Sequence, residues 1–290
     1  MSILTKVKPK TYCHSEYDVL KQVILCEPKY MTIREQINDT QKHFFNEGID
    51  LELAAKQHKD FVKALKKEKI DVVLLPPNEK FPEQVFTRDI GFTLGHTIFV
   101  AEMAHKIRQG EEEFLKTWLK NSDISYYNLV GDMIEGGDVM IDHRTIFIGL
   151  SNRTNQKAID HIQNLLEDFE VITVPFTEKY LHLDCVFNII SRKEALVYPE
   201  ALTKKEYQIL EKRYDLIEVS KEEQFTLGTN ILSIGNKKII SLPVNKNVNE
   251  QLRKRGFEVI EVDITEIIKS GGSFRCCTLP TKRENEEATQ

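Results

Sequence analysis

The feature that most constrains this chain is a unit of hairpin, charged helical segment and single apolar strand that recurs along most of its length. Hairpins are read at Gly91 to Val100, turning near Gly95 and His96, and at Val139 to Gly149, turning at Asp142 and His143. Two more run from Phe187 to Tyr198, turning near Arg192 and Lys193, and from Ile231 to Leu242, turning at Gly235 and Asn236. Gly-Asn is a recognised signal for a tight hairpin loop. The single strands between them are Asp71 to Leu75, Ile124 to Val130, Phe169 to Val174, Asp215 to Val219 and Phe257 to Val262. Units about 40 to 55 residues apart fall in the period range of propellers and arrays.

Five single strands against four hairpins leave one unit to complete. Val23 to Cys26 and Cys277 to Leu279, near the two ends of the chain, can pair to supply it. Closing a ring in this way removes the exposed strand edges that an open array keeps. The expectation is one α/β domain over residues 1–282, followed by a polar, disordered tail from Arg283 to Gln290. In a ring of repeats equivalent positions face one axis. Asp89, Glu135, His182 with Asp184, Asn230 and Cys276 each stand at or just before a hairpin strand, so they are expected to meet in one central pocket.

Those positions carry reactive or charged groups. Cys276 follows the flexible Gly271-Gly272 pair in Gly-Gly-Ser-Phe-Arg-Cys-Cys-Thr-Leu-Pro, and is preferred over Cys277 as a nucleophile because Cys277 is read as the start of a packed strand. His182 and Asp184 lie two apart and share a strand face, as suits a general base with a carboxylate beside it. Cys185 is expected on the opposite face, which makes a metal site of these three residues weak. Glu135 and Asp138 flank Gly-Gly at the mouth of an apolar strand, and Asp89 is set among Phe86, Ile90 and Phe92. Burying such carboxylates is costly unless a cation arrives. Arg153 and Arg108, on loops, have the forked donor that holds a substrate carboxylate.

With 41% hydrophobic and 29% charged residues and a net charge of −5, the chain lacks the cationic field that nucleic acid or an anionic membrane requires. No apolar run approaches the roughly 20 residues of a membrane span, and Met1 to Lys10 has no signal-peptide apolar region, so a cytoplasmic protein is expected. Its five cysteines, scattered and without CxxC spacing, indicate neither a disulfide framework nor a zinc knuckle.

Five motifs in order, Phe86-Thr-Arg-Asp89, Glu135-Gly-Gly-Asp138, Gly149-Leu-Ser-Asn-Arg-Thr-Asn155, His182-Leu-Asp184 and Gly271-Gly with Cys276, resemble the guanidino-group-modifying superfamily. That group includes dimethylarginine dimethylaminohydrolases, arginine and agmatine deiminases and amidinotransferases. The resemblance implies a five-bladed, pseudosymmetric α/β-propeller of ββαβ repeats. It makes Cys276 the nucleophile, His182 the general acid/base and Glu135 the carboxylate paired with His182 and substrate. It gives Asp89 and Asp184 the guanidinium, and Arg153 and Arg108 an α-carboxylate; Asp138 is placed among the substrate-binding residues. Chain length and the Arg153 motif are most similar to the dimethylarginine hydrolases, whereas Arg88-Asp89 replaces the two acidic residues of several of them and is closer to the deiminases.

The reading is of a cofactor-independent cysteine hydrolase that converts an N-methylated arginine to citrulline and an amine, with no metal, nucleic-acid or membrane partner and with a homodimer left open. An arginine deiminase, an amidinotransferase and a non-enzymatic sensor of arginine metabolites are the alternatives.

Overall fold

The structure is a computed structural model that describes residues 10–285. Its strands, in chain order, are β1 (Val19–Cys26), β2 (Asp71–Leu75), β3 (Gly91–Leu94), β4 (Thr97–Val100), β5 (Tyr126–Asn128), β6 (Val139–Asp142), β7 (Thr145–Leu150) and β8 (Glu170–Pro175). They continue with β9 (Phe187–Ile189), β10 (Glu194–Val197), β11 (Asp215–Glu218), β12 (Leu232–Gly235), β13 (Lys238–Ser241), β14 (Glu258–Glu261) and β15 (Leu279–Glu284). Among the described residues they form five three-stranded sheets of one design. A hairpin supplies two antiparallel strands, and a helix leads to a third that is parallel to the second, as in β3-β4-β5, β6-β7-β8, β9-β10-β11 and β12-β13-β14. The fifth sheet repeats the pattern with strands from both chain ends: β15 runs antiparallel to β1, and β1 parallel to β2. This is a pseudo-fivefold α/β propeller.

Burial explains why the hairpin strands read as unbroken apolar runs. Every residue of β3, β9 and β12 is buried, whereas β2, β5, β11 and β14 alternate between exposed and half-buried positions with little fully buried. Strands covered on both faces lose the polar alternation that half-solvated ones keep. Helix Leu51–Lys67 shows how the connections pack: Asp50 caps it by accepting from the amides of Glu52 and Leu53, and Ala54, Gln57, His58, Phe61 and Leu65 make its buried face.

The closing pair differs from expectation at both ends. Val23 pairs with Pro280 and Ile24 with Leu279, so the strands meet as expected, but Cys277 precedes β15. The Cys277 amide donates to Ser273 and the Thr278 hydroxyl to Phe274 and Arg275, which fixes a turn where an extended start was read. Arg283 and Glu284 belong to β15, and Arg283 is buried because it donates to the Asp18 and Ser233 carbonyls. The expected tail therefore loses its first two residues to the sheet, and residues 286–290 lie outside the described part.

Before β1, the segment from Tyr12 to Asp18 runs against the turn ends of two hairpins. Cys13 bridges to Gly95, Ser15 to Asp142, and the Glu16 amide donates to the Ile141 carbonyl at 3.0 Å.

Candidate active site

The motif residues precede the first strand of each sheet and meet as expected. Asp89 leads into β3, Glu135 and the one-turn helix Gly136–Asp138 into β6, His182 and the one-turn helix Leu183–Cys185 into β9, Asn230 into β12, and Cys276 into β15. Glycine permits the closest of these approaches. A Cβ at Gly136 would lie 2.2 Å from the Arg88 carbonyl oxygen, and one at Gly137 would lie 2.7 Å from both Asp89 Oδ1 and the His182 ring.

Asn230 joins two of the segments. Its Oδ1 accepts from the amides of Ser273 and Cys276 at 3.2 and 3.1 Å, while its Nδ2 donates to the Asp184 carbonyl at 3.2 Å. The Cys276 thiol thereby faces Asp184, with Sγ 3.6 Å from Oδ2 and 3.8 Å from Oδ1. A hydrogen bond with Cys185, burial, and the charges of Asp184 and Asp89 raise this thiol well above its ordinary pKa. Without a bound cation the sulfur is protonated.

His182 has the opposite electrostatics. Nε2 lies 2.7 Å from Glu135 Oε2, and Nδ1 is 3.5 Å from Asp89 Oδ1, close but not aligned for a hydrogen bond. Burial alone would lower its pKa; Asp89, the Glu135 bond and Asp138 outweigh burial and raise it to about 10. Glu135 is held low by the same pairing and by Arg153 and Arg108, although burial opposes this. The pair is an imidazolium and a carboxylate, which fits the imidazole to give a proton before it takes one.

Several expectations need correction. Arg108 is not a free fork: Nε and Nη2 donate to Glu111, Nη1 to Asp89 Oδ2 at 2.6 Å, and Nη2 also to the carbonyls of Glu83 and Phe86. Both carboxylate oxygens of Asp138 are engaged, by the Leu183 amide at 2.8 Å and the Ser151 hydroxyl at 2.7 Å, so it braces two loops. Cys185 does not turn away from Asp184. Its Sγ is 3.7 Å from Asp184 Oδ1, because residues 183–185 are a helical turn to which strand alternation does not apply. Arg88 is buried and pairs with Glu16.

Arg153 is the contrasting arginine. It is 6% exposed, and its Nη1 has no hydrogen-bond partner, with Glu135 Oε1 3.6 Å away. Asp89 Oδ1 is likewise unpartnered and buried. Buried polar atoms left unsatisfied are rare, and these two flank the His182–Glu135 pair, with Arg153 Nη1 3.6 Å from Glu135 Oε1 and Asp89 Oδ1 3.5 Å from His182 Nδ1. Asp89, Glu135 and His182 bring side-chain atoms within 4.8 Å of one another, but as an imidazolium His182 has no lone pair to offer a metal ion.

Sequence reading missed Glu111, Glu83 and Arg275. Glu111 stands three residues after Arg108, the spacing of a helical ion pair, and that signal was readable. Glu83 sits behind them, where burial pushes its carboxyl up to about 8. Arg275 adjoins Cys276 in sequence and donates to Asp184 at 2.8 Å.

A family model described as N,N dimethylarginine dimethylhydrolase, eukaryotic, matches residues 27–283. The uncharacterized protein YkgA of Bacillus subtilis is 52% identical over 97% of this chain and 98% of its own length. The N(G),N(G)-dimethylarginine dimethylaminohydrolase of Pseudomonas aeruginosa is 27% identical over 79% of this chain and 89% of its own. A bifunctional arginine dihydrolase/ornithine cyclodeaminase, ArgZ of Synechocystis, is 29% identical, and the match spans 89% of this chain but only 37% of that protein. The solved N-terminal domain of ArgZ bound to substrate superimposes with a TM-score of 0.82 at 28% identity, covering 90% of this chain and 98% of that one. The amidinotransferase SxtG of Microseira wollei, at 19% identity and a TM-score of 0.82 over 95% and 98% of the two chains, shares the fold.

Proposed function

The chain belongs to the N,N dimethylarginine dimethylhydrolase family, and from that premise we propose that it hydrolyses the guanidinium of an arginine-type substrate, with N-methylated arginine preferred, to citrulline and an amine. The observation that carries the reading is a Cys276 thiol set against Asp184, beside a buried His182–Glu135–Asp89 cluster whose Asp89 charge acts on that thiol.

A guanidinium is planar, cationic and resonance-stabilised, so it must be bound as a cation before its central carbon can be attacked. Asp89 and Asp184 offer charge-assisted hydrogen bonds to its N–H groups. Its charge beside Cys276 offsets the carboxylates that keep the thiol protonated; the proton leaves to solvent and the thiolate attacks the carbon. The tetrahedral adduct collapses as His182 gives its proton to the departing amine and the C–N bond breaks, leaving a thiouronium on Cys276. Neutral His182 then takes a proton from water, the hydroxide adds to the same carbon, and the C–S bond breaks as the adduct's hydroxyl proton passes to solvent, releasing the ureido product and the thiolate. Glu135 orients the imidazole and stabilises its cationic form throughout. Arg153, with a donor to spare, holds the α-carboxylate, while Arg108 fixes Asp89 and Glu111.

Unmethylated arginine is the second reading, and a specific observation favours it. Arg88 is turned to Glu16, so Asp89 lacks the adjacent acidic partner that several dimethylarginine hydrolases place there. Incubation with arginine, mono- and dimethylarginine and agmatine, followed by assay of citrulline and free amine, separates the readings. Citrulline from methylated arginine at the higher kcat/KM supports the proposal; citrulline only from arginine moves the assignment to a deiminase-type hydrolase. Amidino transfer without citrulline would make the protein a transferase.

A further inference from the structure

Beneath Cys276 lies a second layer of buried charge that none of these roles uses. Arg275, 2% exposed, divides its terminal nitrogens between different partners. Nη1 donates to Asp184 Oδ2 at 2.8 Å, while Nη2 donates to the Val139 carbonyl at 2.9 Å and stands 3.3 Å from Glu16 Oε1. The other oxygen of Glu16 pairs with Arg88, and Oε1 also accepts from the Ile141 amide at 3.1 Å. Glu16 is delivered by the segment ahead of β1, which is tied to the hairpin turns through Cys13 and Ser15. A carboxylate so far from water persists only where cations meet it. Here Arg275, Arg88 and Arg283 hold its carboxyl at about 2 against the upward push of burial, so it stays ionised.

A planar guanidinium held at both ends has one orientation. Without Glu16, Nη2 of Arg275 keeps only the neutral Val139 carbonyl, a weaker anchor than a carboxylate, so the fork and the Asp184 carboxylate paired with it are pulled toward one side. We propose that Glu16 is a positioning residue that acts through Arg275 to set the plane of Asp184 where Cys276 and a guanidinium meet. The inference rests on the proposed function, because that reading makes Asp184 a guanidinium ligand.

The test compares alkylation of Cys276 by a cationic haloacetamidine, which Asp184 would recognise, with alkylation by neutral iodoacetamide, which it would not. The proteins are the unmutated chain, Glu16→Gln, Arg88→Met and the double variant, each with its Tm measured. Glu16→Gln leaves buried cations short of one anion and lowers Tm. The double variant removes one charge of each sign and recovers it. The cationic-over-neutral rate ratio is expected to fall by about ten- to a hundredfold in Glu16→Gln and in the double variant, the scale of a small misplacement in a reacting site. It stays near the unmutated value in Arg88→Met, where Glu16 still holds Arg275. An unchanged ratio in the double variant overturns the proposal, since a merely structural Glu16 moves Tm alone. No cationic preference in the unmutated protein would instead strike at the proposed function, and this inference would fall with it.

Discussion

Arg153 belongs to a recognisable motif and Arg108 to none, yet both were read as holding an α-carboxylate, and the structure separates them by the donors each has left. Arg108 donates from every nitrogen to groups of the protein, whereas Arg153 keeps Nη1 open in a buried site. Arg153→Ala should therefore raise KM for arginine-type substrates by the equivalent of about 1.5 to 3 kcal/mol, the worth of a hydrogen bond to a charged group. It should leave agmatine, which has no carboxylate, nearly unaffected; equal losses for both would make Arg153 structural. The second residue-scale consequence concerns pH. His182 has a raised pKa in the fold, so its contribution to stability is complete below its ordinary 6.5 and is lost as pH rises through about 10. Glu135 is depressed, and its contribution is complete above its ordinary 4.5 and is lost on acidification. Between pH 7 and 10 the unmutated protein should lose Tm with a steeper slope than His182→Gln, even though the variant starts lower. Parallel slopes would show that His182 is not held as an imidazolium.

At the scale of elements, the hairpins and single strands were legible because each sheet repeats a pattern of buried apolar runs and glycine or charged turns. What could not be read was local backbone that departs from those periods. The turns at Leu183–Cys185 and ahead of β15 rotate Cys185 and Cys277 away from where strand alternation put them, and only hydrogen bonds from distant segments decide that. Asn230 had no chemical signature beyond its phase in the repeat, yet it fastens the Cys276 loop to Asp184. The Gly-Gly of Glu135 to Asp138 was readable as a break in regular structure, but not as the contact that seats His182 against Asp89. That contact makes a prediction. Gly137→Ala places a Cβ 2.7 Å from the His182 ring and Asp89 Oδ1, and overpacking of this kind costs about 1 to 3 kcal/mol. Urea unfolding should show that loss together with a large fall in kcat. A variant of full stability and activity would mean that the two segments are not in contact during turnover.

Across the whole molecule, residues from nearly two hundred positions of sequence are drawn toward one another because five copies of one unit carry them at the same point, the entry to the first strand of each sheet. That convergence followed from the repeat alone. The charge layer of Glu16, Arg88 and Arg275 beneath it did not, since a charged residue is ordinarily solvated and only the contacts between distant segments show these three buried against one another. The central claim is that this assembly performs covalent guanidine hydrolysis at Cys276. Its most direct test is mass spectrometry of the protein acid-quenched during turnover of arginine and methylarginine, followed by peptide mapping. The account predicts an adduct equal to substrate minus the departed amine, located on Cys276 and absent from Cys277 and from Cys276→Ser. Citrulline formation with the adduct on another residue, or turnover that survives Cys276→Ser, would contradict it.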